Sequence, residues 1–356
     1  SCAWGEAATV IPWTLYLFYG DKKLLEEEYP NMKGWVDFIR SREGDCPGSG
    51  KWVSGFHFAD WLALDNPDST SPFGGTDSRY VALACYYHST GLVAKAAKVL
   101  GREEEVREYE ELSWKIREEL WKDYFGEDGS LKVDTQTALV LALKYGFAPE
   151  ENKAILIKRL REKLEDRQVH LDTGFVGTPC LCPALSENGC GEYAYTLLLN
   201  EDFPSWLYEV NMGATTVWER WNSVLPDGKI SDTGMNSLNH YAYGSIAEWM
   251  YRYMCGINPV EDVPGFKKAR LAPMPDERLK WARARYLSAS GEYRCGWEIG
   301  QESTLYRITI PFDCSAEFVL PKMAGSVFVN GEADEELEKT GRKVFEPGTY
   351  EIVAGE

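Results

Sequence analysis

Residues 19–40 read YGDKKLLEEEYPNMKGWVDFIR. Leu25, Tyr29, Met32, Val36 and Ile39 recur at spacings of three and four, which is one apolar face of a helix over 24–40. Gly20 suits the end of a preceding helix, and Asp21 can cap the start of this one. The same punctuation returns in LGREEEVREYEEL (100–112) and YGFAPEENKAIL (145–156). Val106, Tyr109, Ser113, Ile116 and Leu120 give an apolar face over 104–121, and Leu156, Leu160 and Leu164 give another over 152–165. Each time a helix ends at a glycine and the next opens on acidic residues, which complement the dipole of its N-terminus. Between these half-polar helices lie apolar runs at 7–18, 79–99, 135–145 and 237–255. Buried helices alternating with half-exposed ones, at an irregular period, predict αα-hairpins closed into a two-layered α/α toroid. A solenoid would keep a steadier period.

The pattern changes after Ile257-Asn258-Pro259. Tyr293, Cys295, Trp297 and Ile299 alternate, as do Tyr306, Ile308, Ile310 and Phe312, and then Ala316, Phe318 and Leu320. Period-two runs broken by Gly291, Asn330-Gly331 and Pro347-Gly348 predict strands joined by turns, and about a hundred such residues make a β-sandwich. Two domains are expected, a helical one over 1–258 and a sandwich over 259–356. The sandwich carries no catalytic cluster and reads as a structural cap.

Composition narrows the function. The 356 residues carry a formal charge of −18, which argues against nucleic-acid and membrane-surface partners, since both favour a basic face. No apolar run reaches the ~18–20 residues that span a bilayer. The nine cysteines include no paired C-x-x-C, and the four histidines no H-E-x-x-H, so neither a metal nor a cofactor is expected. Reduced structural thiols in a cytoplasmic protein are the expectation. Residue 1 is Ser rather than Met, so the natural translation start is expected to lie elsewhere. The 13 Trp and 20 Tyr exceed what a core requires, and flat aromatic faces suit sugar rings.

Five loop segments interrupt the helical repeat: AWGEA (3–7), GFHFADWLALDNP (55–67), DTGFVGTP (172–179), GATTVWERWNS (213–223) and SLNHYAYG (237–244). Each mixes aromatic rings and glycines with a carboxylate or a histidine. In a toroid, loops at one end of the inner helices converge on a central pocket. Carboxylates with indole faces are the chemistry of glycoside hydrolysis, in which one group protonates the leaving oxygen and another activates water or attacks. Residue by residue, alternatives stay open. Glu219 is either a base or a structural partner of Arg220, and His240 either a ligand or the start of a helix. Trp4 and Trp61 are sugar platforms or core, and Asp60 is a hydroxyl acceptor or a cap for the helix that follows.

Together the segments resemble the bacterial α-L-rhamnosidases of glycoside hydrolase family 78. The likeness runs through Pro12-Trp13-Thr14-Leu15-Tyr16, Asp60-Trp61-Leu62, Thr173-Gly174-Phe175, Gly213-Ala214-Thr215-Thr216-Val217-Trp218-Glu219-Arg220-Trp221, Asn239-His240-Tyr241-Ala242, Gly265-Phe266 and Pro273. It implies a mainly α chain, an (α/α)6-barrel followed by an antiparallel β-sandwich, acting on terminal α-L-rhamnose of glycosides by inversion. It also implies that Glu219 is the general base, that His240 hydrogen-bonds the sugar, and that Trp61 and Trp4 are aromatic sugar contacts, with Asp60 beside them. The family's general acid lies in a D-x-x-x-R-D-E-R segment upstream of A-W-G, which this chain lacks. The resemblance therefore implies a C-terminal portion whose barrel is incomplete at its N-terminal side and nearly inert alone. Its open seam would be covered by an upstream segment or a second copy. The rival expectations are a non-catalytic carbohydrate-binding or assembly subunit, and another α/α-barrel enzyme such as a uronide hydrolase or an epimerase.

Overall fold

The apolar stripes settle where the helices lie. The computed structural model describes residues 1–44, 47–52, 54–68 and 70–355. Helix α1 (Ala7–Tyr19) ends at Gly20, whose φ of 71° is left-handed backbone that glycine adopts freely. Helix α2 (Lys22–Arg40) starts where the Asp21 carboxylate accepts from the Leu24 N–H at 2.9 Å. It buries all five stripe residues, Leu25, Tyr29, Met32, Val36 and Ile39. Helices α3 (Ser78–Leu100) and α4 (Glu103–Tyr124) form the longest hairpin. Asp77 caps α3 through the N–H groups of Arg79 and Tyr80. Helix α4 buries Val106, Tyr109, Ile116 and Leu120, with Leu112 in the place expected of Ser113. Helix α5 (Gln136–Lys144) pairs with α6 (Lys153–Glu165), which buries its three leucines. Of the three helices expected to open on acidic residues, α4 alone does; α2 opens on two lysines, and α6 follows an acidic 3-10 turn at Glu150–Asn152.

Three further helices carry no periodic signal: α7 (Thr178–Glu187), α8 (Gly191–Leu199) and α9 (Trp206–Asn211). Helix α7 is buried on most sides and contains Pro183, so no polar face marks its period. The long helix expected over 237–255 does not form. Residues 237–241 are loop, and Ala242–Met254 runs through one 3-10, one α and one π segment. The reason is backbone pairing. Ser237 and His240 bond across to residues 217–219, so their amides and carbonyls are not available to a helix.

The sandwich has two sheets. The larger, β3-β4-β5-β10-β7-β8, is antiparallel throughout: β3 (Trp281–Ser288), β4 (Gly291–Ile299), β5 (Ser303–Ile310), β7 (Ser326–Val329), β8 (Glu332–Ala333) and β10 (Gly348–Gly355). The smaller, β1-β2-β6-β9, joins β1 (Ile257–Pro259), β2 (Lys268–Leu271), β6 (Ser315–Val319) and β9 (Arg342–Phe345), with β2 and β6 running parallel. Tyr293, Cys295, Trp297, Tyr306, Ile308, Ile310, Ala316, Phe318 and Leu320 are buried as their alternation predicts. Phe312 is 90% exposed, because β5 stops at Ile310 and Pro311 turns the chain.

The chain divides into two compact units, one of Ser1–Pro12 with Glu26–Ile246 and one of Trp13–Leu25 with Ala247–Glu356. Among the described residues, no helix is long and apolar enough to cross a membrane. Eight described cysteines are buried and none joins a disulfide; Cys46 lies outside the described residues.

Candidate active site

The loop at 55–75 holds two non-glycine residues with left-handed backbone, Ala59 (φ 52°) and Leu62 (φ 59°), on either side of Asp60-Trp61. Such residues are costly unless their surroundings impose them. Here the imposing group is Asp60, which is fully buried. Its carboxylate accepts from the Thr137 hydroxyl and from the amides of Gly174 (2.8 Å), Val176 (2.8 Å) and Gly177 (3.1 Å). Burial pushes its pKa up against those bonds. This corrects the expectation for Asp60. It meets no solvent and caps no helix following it; it ties the 172–179 loop to the strained turn that carries Trp61.

Gly174 completes the tie, because a Cβ there would stand 2.2 Å from the Trp61 carbonyl oxygen. The next amide, of Phe175, donates to that oxygen at 2.9 Å. The Phe175 ring stacks on His240, centroids 5.0 Å apart, and meets Tyr243 edge-on at 5.3 Å. Tyr243 stacks on Trp221 at 4.2 Å and donates its hydroxyl to the Leu62 carbonyl. The His240 amide donates to Val217 at 2.8 Å, and the Glu219 amide to Ser237 at 2.8 Å. Four of the five segments thus join into one surface.

The first segment arrives through aromatic contact. Trp4 packs on Phe58 at 5.1 Å, Phe58 on Trp61 at 5.2 Å, and Trp61 on Phe73 at 5.1 Å, with Phe56 against Phe58 and Phe73. Trp4 is 43% exposed and Trp61 partly so; neither is core.

Glu219 is half-buried, and its Oε2 accepts from the Ser237 amide at 3.1 Å. No ion pair joins it to Arg220, whose Nε donates to the Gly234 carbonyl at 3.1 Å. One carboxylate oxygen is therefore held and the other left open. His240 Nδ1 accepts from the Ala242 amide at 3.3 Å, which starts the 3-10 turn. In the neutral ring that leaves the proton on Nε2, a donor for a hydroxyl. An oriented carboxylate, an imidazole N–H and aromatic faces suffice to take a proton from water and to seat a hydroxylated ring.

Two acids the motif reading passed over lie here. Glu209 on α9 is 3% exposed; its Oε2 accepts from the Trp218 amide at 3.2 Å and its Oε1 has no partner. Burial pushes it up to about 8. Its signal was a Glu three residues after Trp206 in an apolar run. Asp172 rises to about 7, again by burial, opposed by Arg167 at 3.4 Å. Among the described residues, no group of three or more His, Cys, Asp or Glu is placed to hold a metal ion.

The family model described as bacterial alpha-L-rhamnosidase 6 hairpin glycosidase domain matches residues 1–254, and the bacterial alpha-L-rhamnosidase C-terminal domain matches residues 256–334. An alpha-L-rhamnosidase of Formosa agariphila is 38% identical over 99% of the chain, and one of Alteromonas sp. is 36% identical over 99%. The chain spans 39% and 38% of the length of these two relatives. The crystal structure of Streptomyces avermitilis alpha-L-rhamnosidase complexed with L-rhamnose aligns with a TM-score of 0.85 at 32% identity. It covers 99% of this chain and 33% of that one.

Proposed function

The chain belongs to the bacterial α-L-rhamnosidase family, and on that premise we propose that it carries the general base and one wall of the sugar site of an inverting α-L-rhamnosidase. The observation that carries this reading is the Glu219 carboxylate, fixed through one oxygen by the Ser237 amide and open at the other. In the proposed reaction Glu219 takes a proton from a water. The water oxygen then bonds to the anomeric carbon of rhamnose as the bond to the aglycone oxygen breaks on the opposite face. The two carboxyls of such a pair stand ~6.5–9.5 Å apart to leave room for that water.

His240 Nε2–H donates to a ring hydroxyl, and Trp61 and Trp4 offer the faces on which the apolar side of the sugar lies. The proton for the leaving oxygen comes from a second carboxyl. Asp60 is unsuited to that task because four donors already occupy its oxygens. Glu6 is buried beside Cys2 and Trp35 and is not assigned to it either. The 356-residue chain alone is accordingly proposed to bind rhamnose but to hydrolyse rhamnosides very slowly, since a missing acid forfeits ~10²–10⁴-fold.

Titration of the chain with L-rhamnose tests the wall. His240→Ala and Trp61→Ala should each weaken binding by ~1–3 kcal/mol with little change in Tm. A large loss of Tm at unchanged affinity would make both residues structural and defeat the reading.

A further inference from the structure

The outward face of the larger sheet holds a cavity of about 800 Å3, lined among others by Trp281, Arg283, Arg285, Arg294, Glu298 and Arg307. Strand alternation puts Tyr293, Cys295, Trp297, Tyr306 and Ile308 inward, and so turns these residues outward. Register then sets them in rows. One row runs Arg285, Arg294, Thr309, Thr349, and the next Arg283, Gly296, Arg307, Glu351. Trp281 heads a third, opposite Glu298.

One feature of this face breaks an ordinary rule. Arg285 and Arg294 are direct cross-strand partners on one exposed face, an arrangement of like charges that weakens a sheet. Gly296, between Arg283 and Arg307 in the same register, is buried, and a Cβ there would stand 2.8 Å from the Arg283 Cβ and the Ala282 carbonyl oxygen, so the close approach of β3 accounts for it. A local rule broken with only partial compensation inside the chain points to function.

The compensation available within the chain is partial. Arg294 pairs with Glu292 at 2.6 Å, and Arg307 pairs with Glu298 (3.3 Å) and Glu351 (2.9 Å). Among the described residues, no carboxylate pairs with Arg283 or Arg285. The Arg283 guanidinium lies 5.2 Å from the centroid of the Trp281 ring, which is 58% exposed. In a chain of net charge −18, two guanidiniums without a carboxylate partner, one of them over an exposed indole, form a local site for an oxyanion carried on a partly apolar ring.

We propose that this face binds an anionic saccharide. Its carboxylate or sulfate group sits between Arg285 and Arg294, within reach of Arg283, and a sugar ring further along the oligosaccharide lies on Trp281, about 13 Å along the strand. The site lies wholly in the sandwich unit and does not depend on the assignment of Glu219.

The test is calorimetric titration of the 356-residue chain with trigalacturonate, with a sulfated galactotriose, and with neutral galactotriose. The account expects at least one anionic trimer to bind tenfold or more tightly than the neutral one, with affinity falling as salt is raised. The arm that binds identifies the anion as carboxylate or sulfate. Arg285→Ala should weaken that binding at least tenfold while raising the Tm of the free chain, because it relieves the repulsion. Trp281→Ala should weaken it several-fold. Equal binding of all three trimers, no binding of either anionic one, or an Arg285→Ala chain of unchanged affinity would overturn the proposal. A Tm that falls in Arg285→Ala would show a structural role for that guanidinium and overturn it as well.

Discussion

At the scale of single residues, the helical unit keeps several carboxyls where charge is costly. Glu209 and Glu6 are each pushed up to about 8, and Asp172 to about 7, with burial the leading cause in each. An acid near 4.5 when unfolded and about 8 when folded binds more protons in the fold between those values. Its contribution to stability is thus complete below pH 4.5 and is lost as pH rises through 8. Glu209→Gln removes that dependence. The variant should gain Tm relative to the parent as pH goes from 4.5 to 8, with the difference level above 8; a pH-independent difference would contradict the burial argument. Burial raises Asp60 in the same direction, but its oxygens also hold four donors. Asp60→Ala should cost on the order of 3 kcal/mol in denaturant unfolding, as buried donors left unpaired do. A loss under 1 kcal/mol would mean that the two loops are held by something else.

At the scale of elements, the site depends on one close crossing of loops. Gly174→Ala places a methyl against the Trp61 carbonyl, so the turn carrying Trp61 must move. Rhamnose affinity should fall with stability in that variant. The cap variant Asp77→Ala, at the start of α3, touches neither Trp61 nor Gly174 and should cost ~0.5–2 kcal/mol with affinity unchanged. Equal effects of the two on binding would argue that general loosening governs the site.

The contrast also explains what could be read from sequence. The α2, α4 and α6 faces were legible because each has water on one side and core on the other, which makes a period. Helix α7 was not, because burial on most sides erases the period, and α8 and α9, nine and six residues long, are too short to show one. The 237–255 stretch misled for a related reason: it is apolar like a buried helix, but its first residues pair with the Glu219 loop. Glu219, His240, Trp61 and Trp4 could be named from motifs. The inward turn of Asp60 and the part played by Glu209 needed coordinates, since both are set by residues distant in sequence.

At the scale of the whole molecule, two units with separate cores share one chain, and their thiols are built into those cores. The eight described cysteines are buried without disulfides. A thiol reagent should therefore modify no more than one cysteine rapidly in the native chain and all nine after denaturation, with the same Tm in reducing and non-reducing buffer. Rapid native modification of several thiols would mean that the cores open more readily than their packing implies.

The central claim is that Glu219 removes a proton from the attacking water. It is tested most directly in a rhamnoside-hydrolysing polypeptide that contains these 356 residues, by comparing Glu219→Gln with its parent on an activated aryl α-L-rhamnoside. The account predicts that kcat falls by ~10²–10⁴-fold while rhamnose affinity stays within about twofold, because the amide keeps the Ser237 contact but cannot accept the proton. Turnover within a few-fold of the parent would contradict it.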